Sequence, residues 1–395
     1  MRKIYIHLLG FFMTLILFSA CAPIKEKAPR ILWISAYYAG WTQGCKSSGH
    51  LDPEEIDYSA LTHIIHFAIV PNSDGSIDFS TKCIFPENSY NLVTAAHAGR
   101  KKVLISVGGW LTEARFLDAT NDINRQKFIK SLINFMISRS YDGIDIDWEP
   151  LSPLSTYQYS KFIIELRNAL DQLTPRPLLT AAVKNNQPLF AELQDKFDQI
   201  NILSYVLSGP RSGWITWHNA PLYDGGYRFP RTGLLVPSTD SLVNDFIKAG
   251  VKKEKLGIGI AFFGYVWSGG EGTATGGVTE PGQTWTVPPS AEEIPYYEIM
   301  EKYYQPERYR WHKPARAAYL SIDNAGSEND SFISYDDEAS CKEKIAYVKK
   351  KGLGGIMIFE LGGGWRPGTL IPDSLLKTIN ESVGNPAEPM PLDKK

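Results

Sequence analysis

Residues 142–149 read Asp-Gly-Ile-Asp-Ile-Asp-Trp-Glu, and this segment holds the densest chemistry in the chain. Side chains alternate faces along a strand, so Asp145, Asp147 and Glu149 project together while Ile144, Ile146 and Trp148 project the other way. Three carboxyls on one face repel one another, which raises the proton affinity of at least one of them. A soluble protein gains no stability from such a cluster. Acids whose proton affinities are driven apart do serve glycosidic bond cleavage, where one must stay protonated. The competing readings are a divalent-metal site and a buried ionic network. A hard cation needs further oxygen ligands, and no other predicted strand end supplies an Asp, Glu or His set. The expectation is catalysis without metal or cofactor.

The elements that must position these acids follow from the rest of the pattern. Apolar runs alternate with helical stripes from residue 30 onward, with strands predicted at 31–38, 61–69, 101–107, 141–148, 178–184, 198–206, 255–263 and 353–359. That βα alternation predicts an α/β fold, a (β/α)8 TIM barrel over residues 30–384. Helical spacing runs through 123–139 and 155–173, and Thr239 or Asp240 is placed to cap the helix before strand seven. Residues 264–335 exceed any βα loop and carry helix signals at Tyr296–Met300 and a strand signal at Ala317–Leu320. They predict a small α+β insertion between strands seven and eight. In a barrel, catalytic groups sit at the C-terminal strand ends, and Glu149 is the last residue of strand four.

Composition narrows the partners. The chain has 395 residues, 43% hydrophobic, with a net charge of −2, so it has ample core and no basic surface for nucleic acid. Ten Trp and 20 Tyr suit a protein that stacks flat rings on a ligand. Trp41, Trp110, Trp214, Trp217, Trp267 and Trp365 fall near strand ends; Trp110 is the best candidate for stacking on a sugar face, and for the others sugar stacking and loop packing stand level. At the N-terminus, Arg2 and Lys3 precede an apolar stretch, Ile4–Phe18, too short to span a bilayer comfortably. Leu17-Phe18-Ser19-Ala20-Cys21 resembles the lipobox of bacterial lipoproteins, so residues 1–20 read as a signal peptide and 21–29 as a tether. Lipidated Cys21 would hold the protein in a bacterial cell envelope, on the outer membrane or cell surface. Cys45, Cys83 and Cys341 then remain, an odd count that allows at most one bridge, and the loop positions of Cys45 and Cys83 suit it. Residues 385–395 are Pro-rich and charged and predict a disordered tail.

The Asp-Gly-x-Asp-x-Asp-x-Glu signature at 142–149 resembles that of the family 18 glycoside hydrolases, the chitinase family. Ser106-Val107-Gly108-Gly109-Trp110 is similar to the family's strand-three motif, and His218-Asn219-Ala220-Pro221-Leu222-Tyr223 to its His-Asn-Ser-Pro-Leu-Tyr segment. Phe332–Asp337 and Gly352–Met357 resemble the approach to strand eight. The likeness covers nearly all of residues 30–384, and segment 264–335 falls where many members carry an insertion domain. It implies hydrolysis of β-1,4-linked N-acetylglucosamine by a retaining, substrate-assisted route. Glu149 would be the general acid/base, Asp147 would hold the acetamido N–H, Asp145 would share a proton with Asp147, and Tyr205 would bond the acetamido oxygen. Trp110, Gly108, Gly109, Phe359, Tyr38 and Phe67 would contact the sugar. A monomer binding an N-acetylglucosamine oligo- or polysaccharide is implied.

Departures from the family pattern bear on substrate. Val206 stands where an Asp is usual, Phe359 where a Trp is, and Phe263 and Tyr265 where Tyr and Arg are common. Each would remove about 1–3 kcal/mol of binding or transition-state stabilisation, which argues against efficient cleavage of crystalline chitin. The alternatives are an endo-N-acetylglucosaminidase acting on N-glycans and a non-catalytic sugar-binding lipoprotein. The insertion counts against the first, and the presence of Glu149 against the second.

Overall fold

The computed structural model describes residues 32–45 and 49–384. The signal segment with Cys21, the tether and the tail at 385–395 lie outside the described residues. No helix among the described residues is long and apolar enough to cross a membrane.

The strands are β1 (Trp33–Ala39), β2 (His63–Pro71), β3 (Ile77–Asp78), β4 (Lys102–Gly109), β5 (Gly143–Trp148), β6 (Leu178–Val183) and β7 (Gln199–Ile202). They continue as β8 (Leu256–Ala261), β9 (Phe263–Ser268), β10 (Ser290–Pro295), β11 (Tyr309–His312), β12 (Ala317–Ile322), β13 (Ser331–Tyr335) and β14 (Gly355–Phe359). Parallel pairing runs β1-β14-β8-β7-β6-β5-β4-β2, and β2 pairs back to β1, closing an eight-stranded TIM barrel. The two faces of the strands bury into different cores. Ile144, Ile146 and Trp148 join the outer layer, where Trp148 stacks on Phe116 at 4.4 Å. Tyr37, Ile65, Phe67, Leu104 and Met357 form a separate cluster inside the barrel.

Three sequence expectations need correction. The apolar pattern carries strand six to 206, but the strand ends at Ile202, because Ser204 substitutes its hydroxyl for ladder partners: its Oγ donates to the Gly259 carbonyl at 3.0 Å and accepts the Gly259 N–H at 2.9 Å. Strand seven ends at Ala261, and Phe263 and Tyr265 lie on β9, which pairs with β10 and β13 instead. The helix at 239–248 is capped by Ser238, whose Oγ accepts the Ser241 N–H, rather than by Thr239 or Asp240.

The insertion is a five-stranded antiparallel sheet, β10-β9-β13-β12-β11, with a helix at Tyr296–Lys302. Its return to the barrel is fixed by Asp336, whose carboxylate accepts the Ala261 N–H at 3.1 Å and pairs with buried Lys344 at 2.7 Å. Such a pair anchors geometry more than it adds net stability, although removing one partner costs about 3–5 kcal/mol. Cys45 and Cys83 form a disulfide with Cα atoms 6.3 Å apart, tying the loop that carries Trp41 to the loop that carries Lys82. Cys341 is buried and forms no bridge among the described residues.

Candidate active site

The acids stand in file on β5 and just beyond it, and each meets a different environment. Asp145 is fully buried and accepts three hydroxyls: Tyr37 at 2.8 Å, Ser106 at 2.9 Å and Thr180 at 2.6 Å. Register explains the last two, since Ser106 on β4 and Thr180 on β6 are the cross-strand neighbours of Asp145. Burial raises the Asp145 pKa, and these three donors oppose the rise. Asp147 has no such help. Its Oδ1 is buried without a hydrogen-bond partner among the described residues. Burial, then Glu149, then Asp145 push its pKa well above the carboxylate range, and Lys82 only partly offsets them.

Glu149 lies one residue past the strand, its backbone carbonyl held by the Thr112 N–H at 2.9 Å. Burial raises its pKa; Lys184 opposes, Glu293 adds to the rise and Lys82 opposes. The result is a carboxyl biased toward its protonated form at the mouth of the barrel, which is what a general acid requires.

Tyr205 sits three residues past β7 and is buried, with its hydroxyl directed, among the described residues, only to the Met357 sulfur at 3.7 Å. A thioether is a weak acceptor, so this O–H keeps most of its donor strength for a ligand. The segment bearing Tyr205 has no strand ladder and is held by side chains instead. Lys184 Nζ donates to the carbonyls of Tyr205 at 3.2 Å and Val206 at 3.0 Å, and the Val206 N–H donates to Asn219 Oδ1 at 2.9 Å. The His218-Asn219 motif is thus scaffold: His218 is buried against Ser334 and His312, and Asn219 holds the loop.

The expected sugar contacts divide. Phe359 is the centre of an aromatic floor, with ring centroids 5.4 Å from Tyr37, 5.5 Å from Phe67 and 6.0 Å from Tyr205. Phe67 belongs to that floor. Tyr38 does not: it points to the outer layer, donates to the Leu51 carbonyl and lies beside His66. Strand parity makes Tyr37 the inward residue. Gly108 and Gly109 act by being small rather than by lining the cleft. At Gly108 (φ 112°) a Cβ would lie 2.2 Å from the Asp147 carbonyl oxygen; at Gly109 (φ 102°) it would lie 2.7 Å from the Phe67 ring.

Trp110 is 66% exposed and lines a cavity of about 80 Å³ with Glu149, Lys184 and Asn185. A larger cavity of about 370 Å³ opens beyond Phe359, between Trp41 on the barrel and Glu293, Tyr297 and Glu298 on the insertion. Trp217 and Trp267 are fully buried, Trp214 packs on Phe229 at 4.8 Å, and Trp365 lines a pocket with Leu51 and Asp373. Sequence reasoning missed Tyr37, Ser106, Thr180, Lys82, Lys184, Met357 and Glu293. Register would have found Ser106 and Thr180; the two lysines carry no local signal. Among the described residues, no three His, Cys, Asp or Glu side chains are arranged to hold a metal ion.

Comparison with known proteins agrees with this layout. The chain is 32% identical over 299 residues to Chitinase A1 of Niallia circulans, a match covering 66% of this chain and 40% of that protein. A family 18 N-acetylglucosaminidase structure from Paenibacillus barengoltzii aligns at 25% identity with a TM-score of 0.72, over 89% of this chain and 99% of that one. A human pseudo-chitinase with retained chitooligosaccharide binding shares the fold, with a TM-score of 0.75 at 23% identity over 89% of this chain and 100% of that one. The family model described as "Glycosyl hydrolases family 18" matches residues 34–364, so the barrel and its file of acids belong to a member of that glycoside hydrolase family.

Proposed function

We propose that the protein hydrolyses β-1,4 bonds of N-acetylglucosamine oligomers or polymers with retention of configuration. The observation that carries this reading is a pair of underused polar atoms beside the acid. Asp147 Oδ1 is a buried acceptor without a donor among the described residues, and the Tyr205 hydroxyl is a donor with only a thioether to meet. An acetamido group offers the complementary N–H and carbonyl. Bound between them, the acetamido oxygen attacks the anomeric carbon as Glu149 protonates the departing glycosidic oxygen, giving an oxazolinium ion. Asp147 balances its positive charge. Glu149, now a carboxylate, takes a proton from water, which opens the ring and restores the starting enzyme.

A binding-only role draws support from the likeness to the human pseudo-chitinase, and a Glu149 carboxyl whose pKa burial raises favours catalysis over it. Lipid attachment at Cys21 would place the activity at a bacterial envelope membrane. The test is a product profile across N-acetylglucosamine oligomers, N-glycans and peptidoglycan fragments. Release from the oligomers alone supports the reading; release from none of the three contradicts it.

A further inference from the structure

The cavity beyond Phe359 is lined by rings and carboxylates together. Its rings are Trp41, Phe263, Tyr297 and Phe359, its carboxylates are Glu293, Glu298 and Glu360, and no Lys, Arg or His lines it among the described residues. Two of these carboxylates are engaged. Glu298 pairs with Lys302 one turn along its helix, and Glu360 accepts the Gly362 N–H at 3.1 Å. Glu293 differs. It faces Tyr265 directly across the β9–β10 ladder, accepts that hydroxyl at 3.1 Å and forms no ion pair among the described residues. Phe359 lines this cavity and also packs 6.0 Å from the Tyr205 ring, so the cavity adjoins the reacting centre. Two cations lie nearby: Lys184, whose charge interacts with Glu293 and whose Nζ is engaged by the Tyr205 and Val206 carbonyls, and Arg211, which sits over Trp214 at 5.0 Å; both are outside the cavity lining.

Orientation follows from the acid. Glu149 lines the smaller cavity with Trp110, and an acid must face the leaving group. The larger cavity therefore takes the sugar on the non-reducing side of the cleaved ring. Its volume of about 370 Å³ falls within the range of built ligand sites. Aromatic rings sharing a cavity with a carboxylate held by Tyr265 suit a flat apolar sugar face whose substituent is an ammonium rather than a neutral acetamide.

We propose that this cavity is a subsite for a de-N-acetylated residue, glucosamine, bound through Glu293, so that partially deacetylated chito-oligosaccharides are the preferred substrates. This rests on the hydrolytic reading above. The cleaved ring must still be N-acetylated, because it supplies the nucleophile; the neighbour is what Glu293 selects.

The test uses two 4-nitrophenyl disaccharides, glucosaminyl-N-acetylglucosaminide and its fully acetylated counterpart, at about pH 5.5, where the sugar amine is charged. The expected kcat/KM ratio favours the glucosamine compound about fivefold, as for a partly solvated ion pair. Glu293→Gln should bring that ratio to about one. Equal rates with the unaltered enzyme overturn the subsite, and a preference that survives in Glu293→Gln overturns its assignment to that residue. Calorimetric binding of both compounds to Glu149→Gln reads the same ratio without turnover. A protein that cleaves neither compound loses the hydrolytic reading, and the Kd ratio still decides the subsite.

Discussion

Asp142, just before β5, and Asp147, on it, belong to one eight-residue motif and are driven in opposite directions. Asp142 stands at the N-terminal end of β5, where burial would raise its pKa, but Lys102 at 2.7 Å, the Val103 N–H at 2.8 Å and His97 at 2.8 Å outweigh burial and hold it low. Asp147, near the C-terminal end, meets burial and two further carboxyls, has an oxygen unpartnered among the described residues, and is held high. The residue type is the same; the end of the barrel differs. One aspartate is satisfied and fastens strands together, while the other stores an unmet electrostatic demand that a substrate can meet.

The contrast is broken most severely at its chemical end. Glu149→Gln removes the transferable proton and should lower kcat on an N-acetylglucosamine oligomer by about 10³-fold or more, read by product release, with oligomer binding retained. Asp147→Asn should cost about 10²-fold in kcat, read in the same assay. It should also raise Tm at neutral pH by a few degrees, roughly 1 kcal/mol, because a buried charge demand is lifted. Asp142→Asn should do the reverse, losing about 1–2 kcal/mol of stability by denaturant titration with kcat unchanged.

The pH dependence sharpens the same pair. Asp142 has a depressed pKa, so its contribution is present above the unfolded carboxyl value of about 3.9 and is lost as pH falls below it. Asp147 has a raised pKa, so the folded state holds an extra proton and stability falls as pH rises from about 3.9 toward that raised value. Thermal melts of each Asn variant should flatten only the corresponding limb. The smallest effect belongs to Lys82→Met: removing a cation that favours ionised Glu149 should move the alkaline limb of kcat upward.

Much of the barrel and its acids is legible in the sequence. The barrel follows from apolar runs alternating with helical stripes, and the file of acids follows from strand parity alone. The inward tyrosine of β1 is harder to pick, because Tyr37 and Tyr38 are chemically alike and a one-residue shift exchanges faces. Tyr205 stands at the barrel mouth as expected, but a strand does not put it there. Strand six stops early, and Lys184 and Asn219, remote in sequence, do the holding. The environment of Glu149 is least legible, because Lys82, Lys184 and Glu293 reach it from three separate loops and strands. Nothing local in their segments marks them.

The central claim is that the second catalytic partner comes from the substrate, and a matched pair of oligomers tests it most directly. The two should differ only at the ring whose anomeric bond breaks, acetamido in one and free amine in the other. Product release should proceed from the acetamido compound and be absent from the amine compound. Comparable release from both would show that a group of the protein supplies the nucleophile, and Asp147 and Tyr205 would then lose their roles as holders of the acetamido group.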